Sequence, residues 1–123
     1  MIDKKWNILY IKDEKSIFDL NTKFFDSLFK KADISLSRDE TLRLYKNNNY
    51  DIVIGDLSIE PEGLAFLKQM QDLKPKQSIF ALVSPKDEDK LFSIADLGIN
   101  AIELTPEQFN QGLETISQFN PYS

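Results

Sequence analysis

The segment Tyr50-Asp51-Ile52-Val53-Ile54-Gly55-Asp56 is a short apolar run that ends abruptly in an acid. An apolar run of this length between polar turn residues predicts a strand buried on both faces of a parallel sheet. Asp56 would then lie at the carboxyl end of the strand, the edge at which open α/β sheets bind ligands. A second run, Trp6–Ile11, stops in the same way at Lys12-Asp13-Glu14. Paired carboxylates at strand ends are suitable ligands for a hard cation such as Mg²⁺.

The composition narrows the chemistry that such an edge could perform. The 123 residues fit one domain, 1–123, and the net charge of −5 comes without a long block of either sign, so we expect no direct nucleic-acid or membrane binding. The absence of cysteine and histidine removes thiol nucleophiles, Cys-based zinc sites and the usual general base. No apolar run is long enough to span a membrane, so we expect a soluble, cytoplasmic protein.

Hydrophobic periodicity predicts five strands that alternate with five helices. Ser16 is a plausible cap for the first helix, and Gly98 is placed as the C-terminal cap of the fourth. The predicted strands are Trp6–Ile11, Ile34–Leu36, Tyr50–Asp56, Ser78–Val83 and Ala101–Leu104. The predicted helices are Glu14–Lys31, Arg38–Asn47, one that begins at Pro61 and ends before Lys74, Lys86–Leu97 and Pro106–Phe119.

Strict alternation of strand and helix predicts an α/β fold with a doubly wound parallel sheet, because right-handed crossovers place helices on both faces. Five such units suit the flavodoxin-like (βα)5 arrangement with strand order 2-1-3-4-5. The switch point of that order lies between the first and third strands, which end at Asp13 and Asp56. No P-loop or dinucleotide-binding glycine motif is present.

With this layout the chain resembles the receiver domain of two-component response regulators, the CheY-like family, over nearly its whole length. The resemblance implies that Asp56 accepts a phosphoryl group from a histidine kinase or phosphotransfer protein. It also implies that Ser84 hydrogen-bonds that group, and that Asp13, Asp56 and the backbone carbonyl of Ser58 bind Mg²⁺. The segment after Asp56 keeps the family's proline and glycine, as Pro61 and Gly63.

Three positions depart from the family pattern. One acid of the family's acidic pair is Lys12, the family's lysine position is Thr105, and the aromatic switch position is Ile102. A unit charge pair about 6 Å apart is worth roughly 3 kcal/mol at an effective dielectric constant of 20. Exchanging an acid for Lys12 therefore predicts weak Mg²⁺ binding and slow or absent phosphorylation, and its ammonium could instead lie between Asp13 and Asp56.

The functional interpretation is a phosphorelay domain that signals through the surface of its fourth and fifth helices and fifth strand. Its partner would be an output domain, another protein or a second copy, and it would be no enzyme beyond self-phosphorylation and self-dephosphorylation at Asp56. The alternative is a pseudo-receiver that binds partners without phosphorylation. Simpler roles exist for each residue: a turn for Asp56, a helix start for Asp13, and helix caps for Ser84 and Thr105.

Overall fold

Five parallel strands form one sheet in the computed structural model, which describes residues 4–57 and 61–122. The strand order is 2-1-3-4-5, as the alternation of elements predicted. The strands are β1 (Asn7–Lys12), β2 (Lys31–Ser35), β3 (Ile52–Asp56), β4 (Ser78–Val83) and β5 (Asn100–Glu103). Between the described residues, all four neighbouring strand pairs are parallel. The described part of the chain therefore has the doubly wound α/β fold.

Helices cover both faces of the sheet. The α-helices are α1 (Thr22–Leu28), α2 (Arg38–Asn47), α3 (Pro61–Leu73), α4 (Leu91–Asp96) and α5 (Phe109–Ser117), and 3₁₀ turns at Pro85–Lys90 and Pro106–Gln108 precede α4 and α5. Side chains of α1 and α5 pack on one face, around Tyr10 and Ile54, and side chains of α2, α3 and α4 pack on the other, around Leu9 and Val53. None of the helices that the structure describes is long and apolar enough to cross a lipid bilayer.

The register of the central strands brings the two predicted strand ends together. Lys12, the last residue of β1, pairs with Asp56, the last residue of β3. Side chains alternate between faces along a strand, so Tyr10 and Lys12 point to the same face of the sheet as Asp56. That face is the one covered by α1 and α5.

The first helix is shorter than predicted. The periodicity favoured Glu14–Lys31 with Ser16 as cap, but α1 spans only Thr22–Leu28, and the side chain of Asn21 caps it by accepting from the backbone amide of Phe24 at 3.1 Å. The residues between β1 and Asn21 form an irregular loop. The hydroxyl of Ser16 is used elsewhere, as described below, and Ile17 is 43% exposed. The second strand, predicted at Ile34–Leu36, accordingly begins earlier, at Lys31.

The remaining elements differ from the predictions mainly at their ends. The predicted helix Lys86–Leu97 begins as a 3₁₀ turn with a kink at Asp87, and Gly98 follows it with a positive φ of 80°, as its capping role predicted. The predicted helix Pro106–Phe119 also begins as a 3₁₀ turn and ends at Ser117. Phe119 lies beyond it, with its ring 5.1 Å from that of Phe80.

Candidate functional site

Asp56 is the most unusual polar residue of the fold, because its carboxylate is almost completely buried. The residue is 3% exposed at the end of β3. Its Oδ2 accepts two short hydrogen bonds, from the hydroxyl of Tyr10 at 2.6 Å and from that of Ser16 at 2.5 Å. Buried carboxylates are costly unless such donors are supplied. Two neutral hydroxyls therefore stabilise the charge that burial would otherwise penalise.

Burial raises the pKa of Asp56 above its ordinary value. The hydrogen bonds from Ser16 and Tyr10 and the charge of Lys12 act in the opposite direction and lower the pKa, while the charge of Asp13 raises it further. Burial also raises the pKa of Tyr10, and its contact with the Asp56 carboxylate adds to that rise. Tyr10 therefore remains a hydrogen-bond donor throughout the working range of the protein.

The loop between β1 and α1 covers Asp56. Phe18 anchors this loop, because its ring is 4% exposed and stacks on that of Phe109 at a centroid distance of 5.0 Å. The ammonium of Lys12 donates to the backbone carbonyl of Phe18 at 2.8 Å. Lys12 thus holds the loop, and among the described residues no ion pair joins it to Asp56. The predicted position of its ammonium between the two carboxylates is not the one observed.

Asp13 lies beside Asp56 but takes part in the loop. Its backbone amide donates to the carbonyl of Asp56 at 3.3 Å, and its Oδ1 accepts from the backbone amide of Lys15 at 2.9 Å. The latter is an Asx-type turn, in which a short acidic side chain satisfies a backbone donor of the loop. Asp13 is therefore near the strand end as predicted, with one carboxylate oxygen in use locally.

A small pocket opens between this loop, the end of β3 and the segment after β4. Its volume is about 150 Å³. Phe18 and Leu82 contribute apolar walls. The polar lining consists of Asp56, Ser16, Ser84, Asp87, Lys15, Lys86 and Lys90.

The pocket brings together only part of the predicted site. Asp56 and Ser84 both line it, whereas Asp13 and Thr105 do not. Thr105 lies at the start of the 3₁₀ turn before α5, where its backbone amide donates to the side chain of Gln108 at 3.0 Å. This contact belongs to a capping box formed by Thr105 and Gln108, and it agrees with the simpler role of a helix cap expected for Thr105. Ser58, the predicted backbone metal ligand, lies outside the described residues.

The donor set does not fit the acid-rich Mg²⁺ site that the resemblance implies. Within residues 4–57 and 61–122, no group of three or more acidic, histidine or cysteine side chains is placed to hold a metal ion. The two carboxylates at the strand ends are those of Asp13 and Asp56, each with an oxygen already hydrogen-bonded, and Lys12 stands where the resemblance implies a further acid. A hard cation prefers more oxygen ligands and no neighbouring ammonium.

Several residues of the site were not predicted from the sequence as functional. The role of Tyr10 could have been predicted, because a tyrosine inside a buried strand needs a partner for its hydroxyl. Tyr10 also lies on the same face of the sheet as Lys12, the last residue of β1, which pairs with Asp56. Lys86 and Lys90 carried no such signal, because lysines are common at the start of a helix. Ser16 was interpreted as a helix cap.

Comparison with known proteins gives the fold a name. No family model and no curated protein matches the sequence. The solved structures do match: a response regulator receiver domain from Clostridium thermocellum superposes with a TM-score of 0.68 at 21% identity, covering 89% of this chain and 91% of the other. A CheY-like receiver domain from Methanospirillum hungatei also gives a TM-score of 0.68, at 16% identity, covering 90% and 92%. The chain has the receiver fold of response regulators.

Longer proteins also contain this fold. NtrX from Brucella abortus superposes with a TM-score of 0.66 at 17% identity, covering 92% of this chain but only 27% of NtrX. At the carboxyl edge of this sheet, Asp56 is the last residue of β3, and Ser84 and Thr105 follow β4 and β5. The likeness is one of fold and does not by itself assign functional roles to these three residues.

Proposed function

We propose that this chain is a receiver-type signalling domain that accepts a phosphoryl group on Asp56. The observation that supports the proposal best is the placement of Asp56 at the end of β3 in a pocket that also contains the hydroxyl of Ser84 and three lysines. An oxyanion next to Asp56 would thus find hydrogen-bond donors and positive charge in one place.

The chemistry follows from the hydrogen bonds of the carboxylate. Oδ2 of Asp56 is held by Tyr10 and Ser16, so Oδ1 is the oxygen available for attack on phosphorus. With a phosphohistidine as donor, a P–O bond forms at Oδ1, the P–N bond breaks, and the departing imidazole takes a proton from solvent. The group stays on the protein, so the domain carries a signal rather than turning over a substrate. Under this proposal Asp13 and Asp56 bind Mg²⁺ only weakly.

The partners proposed are a histidine kinase or phosphotransfer protein upstream and an output protein or domain downstream. The surface formed by α4, β5 and α5 is the proposed output surface, and Phe92 on α4 is 83% exposed there. A covalently attached phosphoryl group adds negative charge to this pocket, which biases the conformation of the loops around it. The same surface could pair with a second copy of the chain. The proposed location is the cytoplasm.

A second candidate function is a pseudo-receiver that binds its partner without phosphorylation. The observation that favours it is the saturation of Asp56 Oδ2 by two hydroxyls, together with the use of Lys12 and Thr105 in local structure. In this alternative the site is a fixed structural element. It predicts the same partner affinity before and after exposure to a phosphoryl donor.

Labelling with acetyl phosphate or with a phosphorylated histidine kinase tests the proposal. Intact mass measurement should show one added phosphoryl group on the parent protein and none on Asp56→Asn. Asp87→Asn is the matched control, because it removes the other carboxylate of the pocket and should keep the label. Undiminished labelling of Asp56→Asn would refute the assignment, and no labelling of the parent by either donor would leave the pseudo-receiver as the function.

A further inference from the structure

The pocket beside Asp56 is richer in positive charge than the sequence comparison with receivers implied. Three lysines, Lys15, Lys86 and Lys90, line it, together with the two acidic residues Asp56 and Asp87. Lys86 and Lys90 both belong to the 3₁₀ turn after β4. The position that usually supplies the lysine is Thr105, which lies outside this pocket. The positive charge therefore reaches Asp56 from a different part of the fold.

Ser84 and Lys90 already contact one oxyanion in the protein, the side-chain carboxylate of Asp87. Its Oδ2 accepts from the hydroxyl of Ser84 at 3.2 Å, and its Oδ1 lies 3.7 Å from the ammonium of Lys90. A hydroxyl and an ammonium that converge on the two oxygens of one carboxylate have the arrangement that also suits a tetrahedral oxyanion. Asp87 is thus a built-in competitor for an anion that enters the pocket.

We propose that the pocket binds a phosphate-sized tetrahedral oxyanion through Ser84, Lys86 and Lys90, without a metal ion. The anion is either free phosphate or the phosphoryl group on Asp56, and the second case rests on the proposed function. The two ammonium groups supply positive charge to a pocket that neither Lys12 nor Thr105 lines. When the anion enters, Ser84 and Lys90 exchange the Asp87 carboxylate for its oxygens.

Binding of inorganic phosphate, followed by amide NMR shifts, tests the metal-free site directly. In the presence of EDTA the parent should bind phosphate, and added Mg²⁺ should leave the affinity unchanged. Lys86→Gln and Lys90→Gln should each weaken binding by roughly tenfold or more, because each removes a charged hydrogen-bond donor. Lys76→Gln is the matched control at an exposed lysine outside the pocket and should bind as the parent does.

Asp87→Asn gives a test in the opposite direction. Removing the competing carboxylate should tighten phosphate binding several-fold, a gain that a purely structural role of the lysines would not produce. Unchanged affinity in both lysine variants, or binding that appears only with Mg²⁺, would overturn the inference. Absence of any binding by the parent would overturn it as well.

Acetyl phosphate in EDTA separates this inference from the proposed function. Label on Asp56 that forms without Mg²⁺ and falls in Lys86→Gln and Lys90→Gln supports both. Free phosphate that binds through the lysines while Asp56 is never labelled supports the oxyanion site and refutes phosphoryl transfer. Label that requires Mg²⁺ and is indifferent to the lysine variants supports phosphoryl transfer and refutes the metal-free site.

Discussion

Replacing Tyr10 with Phe tests whether a buried hydroxyl stabilises the Asp56 carboxylate. The substitution keeps the ring, whose edge contacts Phe25 and Phe109 at centroid distances of 5.4 and 6.3 Å, and removes only the donor 2.6 Å from Oδ2. Tyr10 and Asp56 are both buried. A hydrogen bond to a charged group contributes about 1.5–3 kcal/mol. We expect Tyr10→Phe to lower the free energy of unfolding by that amount at neutral pH.

The chain supplies a matched control on the opposite face of the sheet. Tyr45 is equally buried, but its hydroxyl donates to a neutral acceptor, the backbone carbonyl of Met70, at 3.0 Å. Tyr45→Phe should cost only about 0.5–1.5 kcal/mol, the contribution of a neutral hydrogen bond. In an Asp56→Asn background the cost of Tyr10→Phe should fall to the same range, leaving a coupling of about 1 kcal/mol between the two sites.

Urea unfolding of the four proteins of this cycle, with Tyr45→Phe alongside, measures these differences. If Tyr10→Phe costs no more than Tyr45→Phe and costs the same in both backgrounds, the hydroxyl does not stabilise a charge. The argument for a buried, ionised Asp56 would then be refuted.

Three further perturbations address the charge and the loop around Asp56. Burial raises the pKa of Asp56, so the folded state binds its proton more tightly than the unfolded chain, and this contribution to stability is lost as the pH rises through the folded pKa. Asp56→Asn should therefore have a higher melting temperature than the parent above that pH. The control Asp26→Asn, at an exposed carboxylate of α1, should not. Equal melting temperatures of the parent and Asp56→Asn at every pH would contradict the raised pKa of Asp56. Lys12→Asp should tighten Mg²⁺ binding at least about tenfold, an effect of about 1.4 kcal/mol. It should also lower the stability without metal, because it removes the hydrogen bond to the carbonyl of Phe18. Calorimetry measures the affinity and thermal melts the stability, and unchanged values in both would show that Lys12 neither limits metal binding nor holds the loop. Phe18→Ala should cost about 3 kcal/mol or more and lower the pKa of Asp56 in an NMR titration by exposing its carboxylate, and a pKa that stays raised would show that the loop does not bury it.

The sheet and its strand ends could be predicted because they depend on local pattern. The run that ends at Asp56 has the length and hydrophobicity of a buried strand, and the alternation of elements limits the strand order to few choices. Placing Asp13 and Asp56 near one another needed only the rule that parallel strands end at the same edge. Likewise, the capping box of Thr105 is a sequence signature with four residues of context.

The surroundings of Asp56 could not be predicted, because they depend on contacts between distant residues. Tyr10 and Ser16 lie 46 and 40 residues before the acid to which they donate. The apolar residues of the loop, such as Ile17 and Leu20, have helical spacing. This spacing predicted a helix where the chain forms an irregular loop over Asp56. Periodicity reports which residues are apolar and how they are spaced, and it contains no information on where a loop hydroxyl will donate.

The same contacts explain how this fold holds Asp56 with a lysine at position 12 and a threonine at position 105. An ionised Asp56 with neither a metal ion nor a lysine at position 105 would carry an uncompensated buried charge, which proteins avoid. Here two hydroxyls take over the short-range stabilisation at Oδ2, and Lys12 contributes its charge from a position fixed by the loop. The pocket beside Asp56 is lined by three lysines, of which Lys86 and Lys90 come from the turn after β4. Asp56 thus lies at the end of β3 in a receiver fold, where the hydroxyls of Tyr10 and Ser16 hold its carboxylate.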